Sequence, residues 1–210
     1  MLRRMSSRGL LAAGLMGFAI VATLSGVRIL IRFDQTPGAR SVAPPHWPIA
    51  SAIQRHPDHG KLLVFVHPFC PCSTATLAEL ARILTRQSAR APQLEATILF
   101  VRPKGATGWQ PGHLWDTARE LPGAHVMWDE DGQEAQRFGA RTSGEVFLYD
   151  SRGDLLFHGG ITGSRGHAGD NYAADQLILA LNSGRPARSA HLVFGCALPL
   201  STSALAEVRQ

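Results

Sequence analysis

Residues 61–84, KLLVFVHPFCPCSTATLAELARIL, are the stretch on which the fold turns. Leu62 to Val66 are continuously apolar, the pattern of a strand buried on both faces. Pro68 has no N–H to give a ladder and stops it. From Ser73 the period changes, and Leu77, Leu80, Ala81 and Leu84 fall on one face of a helix. Cys70 and Cys72 lie between these elements. The sequence therefore predicts two thiols at a strand-to-helix junction, over the free N–H groups and partial positive charge of a helix start, where a thiolate is stabilised.

Downstream, Ala96–Val101 (ATILFV) reads as a second buried strand, Leu114–Leu121 as a short helix and Ala124–Trp128 as a short strand. Asp129, Asp131 and Gly132 make an acidic turn ahead of a helical turn around Glu134–Phe138. A calcium loop would need a ligand ladder and a closing Glu that do not follow. Glu145–Asp150, Ser151-Arg152-Gly153 and Asp154–His158 read as a β-hairpin. A Gly-rich loop, 159–169, then leads to a helix over 170–182. The tail holds Ala190–Cys196 (AHLVFGC), a candidate extra strand. Strand, helix, strand, irregular helical region, hairpin and helix imply an α/β sandwich on a mixed sheet.

The formal charge of +5 resembles a nucleic-acid signal until it is located. Arg3, Arg4, Arg8, Arg28 and Arg32 stand in residues 1–32 without an acid, which leaves 21 − 5 = 16 basic against 16 acidic residues in the remainder. The excess belongs to the N-terminus, where a run of about eighteen uncharged and mostly apolar residues, Leu10–Val27, fits a membrane span, and no nucleic-acid partner is expected. With no clean small-x-small cleavage site after it, an uncleaved anchor is expected, holding the globular part outside the cytoplasm. The expected organisation is a membrane anchor over 1–32, a Pro- and Gly-rich linker and lead-in over 33–60, the folded domain over 61–182, and an extension over 183–210 carrying Cys196.

The element order, with cysteines opening the helix after a buried strand, resembles the thioredoxin-like superfamily over about residues 60–182. Pro71-Cys72 is similar to the second half of the family's Cys-x-x-Cys, and GEVFLYDSRGDLLFHGG to its final hairpin. More narrowly, HPFCPCS, TSGEVFLYDSRGDLLFHGGITGSRGH and the tail VFGC resemble the membrane-anchored RedB-type branch. The resemblance implies a thioredoxin-like fold, with a mixed central sheet, flanking helices and a C-terminal hairpin plus helix, preceded here by one transmembrane helix. It also implies thiol chemistry toward protein thiols or disulfides of the cell envelope, in the periplasm at the inner membrane.

Two departures bear on mechanism. Only one residue separates Cys70 from Cys72, so a bond between them would close a small, strained and easily reduced ring. Where the family places a cis-proline facing the cysteines, this chain has Ser143-Gly144, and loss of that shield makes metal binding more credible. Sheet topology returns the loop carrying Arg165 and His167 to the thiol edge, and residues 183–196 can span roughly 45 Å, enough to bring Cys196 back as well. The candidate catalytic set is thus Cys70 as the more exposed attacking thiol, Cys72 or Cys196 as resolving thiol and His67 as proton carrier. Ser143, Gly144, Arg165 and His167 are the residues expected around a substrate. The alternative is a soft-metal protein binding copper through Cys70, Cys72 and either His67 or Cys196. A third alternative is a non-catalytic adaptor on the same scaffold.

Overall fold

The structure is a computed structural model of the 210-residue chain, and it describes residues 7–88, 94–187 and 190–200. Arg3, Arg4, Pro92 and the last ten residues of the C-terminal extension lie outside the described residues. Two compact units result, divided between Thr36 and Pro37.

The first unit is helix α1, Ser7–Gln35. Its segment Leu11–Gln35 includes an 18-residue stretch with a mean hydropathy of 1.9, none of it buried, so the helix is long and apolar enough to cross a membrane. The helix continues past Val27 through Arg28 and Arg32, because a single basic residue per turn does not interrupt a helical backbone.

In the second unit, β1 (Lys61–Val66), β2 (Glu95–Arg102), β3 (Ala124–Glu130), β4 (Glu145–Tyr149) and β5 (Leu155–Gly159) form one sheet in the order β3-β2-β1-β4-β5. β1 runs parallel to β2, from Lys61 opposite Glu95 to Val66 opposite Phe100, and antiparallel to β4, with Phe65 opposite Glu145. Every residue of central β1 is buried, as its unbroken apolar run requires. Leu62, Val64 and Val66 face a layer built by α2 (Ser73–Ser88), α3 (His113–Arg119) and α5 (Tyr172–Ser183), where Leu77, Leu80, Ile83 and Leu177 are buried. Leu63 and Phe65 face the opposite layer, with Phe138 of α4 (Gln133–Phe138), Phe147 and Tyr149. The acidic turn before α4 is a helix start: the Asp129 carboxylate accepts the N–H groups of Glu134 at 2.9 Å and Ala135 at 2.8 Å.

Two segments differ from expectation. Within the expected linker and lead-in over 33–60, the chain packs on the domain from Pro37 onward. Gly38 N–H donates to the Val193 carbonyl at 2.8 Å, the Tyr149 hydroxyl to the Pro44 carbonyl at 3.0 Å, and Trp47 meets Phe138 edge-on at 4.9 Å. Buried aromatic area fixes this stretch without regular periodicity. The tail 190–198 is laid along the domain by single backbone bonds, His191 N–H to the His158 carbonyl at 3.1 Å and Leu198 N–H to the Arg141 carbonyl at 2.9 Å. It forms an isolated bridge, Thr142 to Ala197, in place of a full strand.

Candidate functional site

The carboxyl end of β1 feeds directly into the start of α2. Cys70 N–H donates to the His67 carbonyl at 3.0 Å, closing a turn, and Ser73 N–H donates back to the Cys70 carbonyl at 3.0 Å. Ala75 N–H donates to the Cys72 carbonyl at 3.2 Å as the helix begins. Cys72 thus immediately precedes the first residue of α2, the position at which unpaired helix N–H groups favour negative charge.

Cys196 arrives from a segment 126 positions away. Its backbone N–H points at the Cys70 Sγ, at 3.4 Å, and its own thiol hydrogen-bonds the same sulfur. Two contacts hold the tail here: the Cys196 carbonyl accepts Ser143 N–H at 2.8 Å, and the Gly195 carbonyl accepts the Arg165 guanidinium at 2.8 Å. Gly195 sits so close that an added Cβ would lie 1.9 Å from the Ser143 carbonyl oxygen, which only a residue without a side chain permits.

The electrostatics divide the three sulfurs. Burial pushes the Cys70 thiol up. The donors from the Cys196 thiol, the Cys196 N–H, Ser73 and the Cys72 N–H outweigh it and hold Cys70 below the usual thiol value. For Cys72, burial and then the neighbouring Cys70 charge raise the thiol, opposed by a hydrogen bond and charge from Arg165. Burial, then donation to Cys70, pushes Cys196 up to about 12, so it remains a protonated donor. Cys70 is therefore the sulfur of the cluster that the surroundings favour to ionise first.

The expected order of exposure is reversed. Cys70 has 0 % of its surface exposed and Cys72 is the partly exposed thiol. The physical reason is the tail, which covers Cys70 from a part of the chain that the local motif cannot reveal. Arg165 reaches the sulfurs as the topology required. His167 sits in an exposed turn of the same loop, its Nδ1 within 2.9 Å of both the Ser164 hydroxyl and the Arg165 carbonyl.

His67 does not meet the sulfurs. Its Nδ1 accepts Phe69 N–H at 3.1 Å, its ring lies 5.4 Å from that of Trp109, and burial lowers its pKa, keeping the imidazole neutral at pH 7. Ser143 and Gly144, expected to face a substrate, are buried. The Ser143 hydroxyl accepts His67 N–H and pairs with the Ser73 hydroxyl, both at 2.7 Å, and Gly144 N–H donates to the Phe65 carbonyl at 2.8 Å. They join the end of β1, the start of α2 and the tail, so they position the thiols.

Sequence reading missed a second polar cluster just behind this turn. Buried Glu145 accepts Arg141 N–H at 2.9 Å and Thr142 N–H at 3.2 Å on Oε2, while Oε1 takes Ser41 Oγ–H and lies 2.6 Å from His158 Nε2. A Glu opening a strand, two residues before the position paired with a His of the hairpin partner and so on the same face, was the available signal.

No protein-family model and no curated protein matches the chain. Solved structures do. An uncharacterised conserved protein from Geobacillus kaustophilus is 16 % identical with a TM-score of 0.58, the match covering 80 % of this chain and 93 % of that one. A hypothetical protein from Sinorhizobium meliloti is 17 % identical with a TM-score of 0.53, covering 80 % and 95 %. A putative thioredoxin from Neisseria meningitidis is 15 % identical with a TM-score of 0.43, covering 71 % and 90 %. The parallel β1-α2-β2 unit beside the antiparallel β4-β5 hairpin and α5 decides the class. The domain has a thioredoxin-like fold. Within this thioredoxin-like domain the turn before β4 holds Gly144 at φ +90°, and among the described residues every peptide bond is trans. Also among the described residues, no three His, Cys, Asp or Glu side chains are grouped to hold a metal ion.

Proposed function

We propose that the chain is a membrane-anchored thiol-disulfide oxidoreductase whose thioredoxin-like domain works outside the cytoplasm, on protein thiols or disulfides of the cell envelope. One observation carries the reading: three cysteines from two distant segments converge, and the donors around Cys70 hold its thiol below the usual value. An inert buried thiol has no need of those donors, whereas a nucleophile or leaving group in disulfide exchange does. The Cys-Pro-Cys motif supplies two of the sulfurs, Cys196 the third, and α1 the attachment to the membrane. The narrower RedB-type resemblance belongs to the same reading, as does the division into anchor, lead-in, domain and extension.

The test uses the full chain in detergent, equilibrated in glutathione buffers of graded poise, then alkylated and weighed. One intramolecular disulfide per chain, formed and reduced reversibly, together with accelerated oxidation or reduction of a model protein substrate, is the expected result. Three freely alkylated thiols at every poise would overturn it.

A second reading, a soft-metal binder, is favoured by the convergence of three sulfurs without a proline at 143–144. Retention of one Cu(I) per chain against a competing chelator, combined with an absence of disulfide formation, would select it.

A further inference from the structure

The Cys-Pro-Cys pair is the obvious place for the disulfide of such an enzyme, but the geometry favours another bond. Cys70 and Cys72 are both committed to the start of α2, their carbonyls accepting Ser73 and Ala75 N–H. Bending one sulfur onto the other across Pro71 strains a small ring against those bonds. Cys196 is already beside Cys70, its N–H 3.4 Å from the Cys70 sulfur and its thiol bonded to it. The tail is pinned on both sides of Cys196, by the Arg165 guanidinium on the Gly195 carbonyl and by the Leu198 N–H on the Arg141 carbonyl, so closing this pair needs little further ordering. Cys70 has no surface to offer a partner, whereas Cys72 is partly exposed beside Arg165.

We propose that the oxidised enzyme joins Cys70 to Cys196, leaving Cys72 as the outward thiol through which a partner protein's disulfide enters. This rests on the oxidoreductase reading and specifies how its three sulfurs share the work.

The exchange balances as follows. Cys72, giving up its proton beside the Arg165 charge, attacks one sulfur of the partner disulfide, forming a Cys72–partner bond and releasing the first partner thiolate, which takes that proton. Cys70, having released its proton to solvent, attacks the Cys72 sulfur as a thiolate, forming the strained Cys70–Cys72 bond and expelling the second partner thiolate, which takes a proton back from solvent. Cys196 then attacks Cys70, breaking that bond, and its proton passes to the leaving Cys72 thiolate. The net change is loss of two electrons and two protons from Cys70 and Cys196, gained by the partner's two sulfurs as a dithiol. The last step relieves the ring strain, which gives the relay its direction.

The test is peptide mapping of the full chain in detergent after oxidation by a disulfide-bonded protein and blocking with N-ethylmaleimide. Trypsin leaves Cys70 and Cys72 on one peptide and Cys196 on another. The expected product is a cross-linked pair of these peptides with the maleimide on Cys72. A looped peptide holding a Cys70–Cys72 bond, with the maleimide on Cys196, would overturn the proposal while leaving the oxidoreductase reading intact. A Cys72–Cys196 cross-link would also overturn it. Absence of any intramolecular disulfide would sink both. In parallel, Cys72→Ser should retain the Cys70–Cys196 bond when oxidised by diamide but lose exchange with the protein disulfide, and unimpaired exchange in that variant would refute the entry role.

Discussion

Replacing Gly195 by Ala tests whether the tail seals the thiolate. Gly195 does not occupy the left-handed region, so alanine meets no backbone penalty there and any effect comes from contact alone. The new Cβ would lie 1.9 Å from the Ser143 carbonyl oxygen, where 3.0 Å is the closest that real Cβ atoms approach, so the two chains must part by about 1 Å. That movement stretches the 2.8 Å bond from Ser143 N–H to the Cys196 carbonyl and the 3.4 Å contact from Cys196 N–H to the Cys70 sulfur beyond hydrogen-bond range. Two such bonds contribute roughly 1 kcal/mol each, so tail docking weakens by about 2 kcal/mol, or about 30-fold in its equilibrium. Cys70, reachable only when the tail lifts, should be alkylated about 30-fold faster at fixed pH. The assay is a timed N-ethylmaleimide pulse on the full chain, with Cys70 and Cys72 resolved by peptide fragmentation. Ala197→Gly, an exposed neighbour, serves as control. A Cys70 rate in Gly195→Ala no higher than in the control, with the fold retained, would refute the idea that the tail guards it.

Three other perturbations follow from the same contacts. Arg165→Gln removes the hydrogen bond and charge that oppose the rise of the Cys72 thiol; since a cation favours the thiolate, the pH midpoint of Cys72 alkylation should move up, with roughly a tenfold slower rate at neutral pH for each unit of movement. An unchanged pH profile would remove Arg165 from the site. Gly144→Ala places a side chain at φ +90° and 2.6 Å from Thr76 Oγ1, and should lower stability by about 2 kcal/mol in urea unfolding of the full chain. Glu145→Ala leaves His158, Ser41 and two backbone N–H groups without their acceptor and should cost about 3–5 kcal/mol, whereas Glu145→Gln, which keeps an oxygen in place, should cost less; equal losses in the two variants would argue against a charge-dependent role.

The fold was legible because its signals are local. The apolar run of β1, the helical spacing after Ser73, and the Ser151-Arg152-Gly153 turn between β4 and β5 each depend on a few consecutive residues, and all stand within a few positions of where the sequence places them. The thiol pair was legible for the same reason, and Arg165 followed from strand direction. Exposure was not legible, because the cover over Cys70 arrives from 126 positions away. The lead-in also escaped notice, since Trp47, Pro44 and Ser41 are fixed by contacts to Phe138, Tyr149 and Glu145 that carry no periodicity. His67 misled through proximity in sequence. Its backbone turn brings Cys70 N–H to the His67 carbonyl while the ring goes to Phe69 and Trp109.

The thiol site and the buried Glu145 cluster form one mechanical unit. A carboxylate with no exposed surface is expensive to bury unless donors surround it, and here they come from Ser41 of the lead-in, Arg141 and Thr142 of the turn, and His158 of β5. Those same segments hold the tail: Gly38 N–H meets the Val193 carbonyl, Ser143 N–H the Cys196 carbonyl, and the His158 carbonyl accepts His191 N–H. Loosening any one of them therefore exposes both a buried charge and the route to Cys70. The charge penalty makes partial detachment of the tail costly, so Cys70 stays covered. A local Cys-Pro-Cys turn on a helix would acidify a thiol without guarding it. The guard requires the tail, and the tail requires the carboxylate beneath the turn on which it rests.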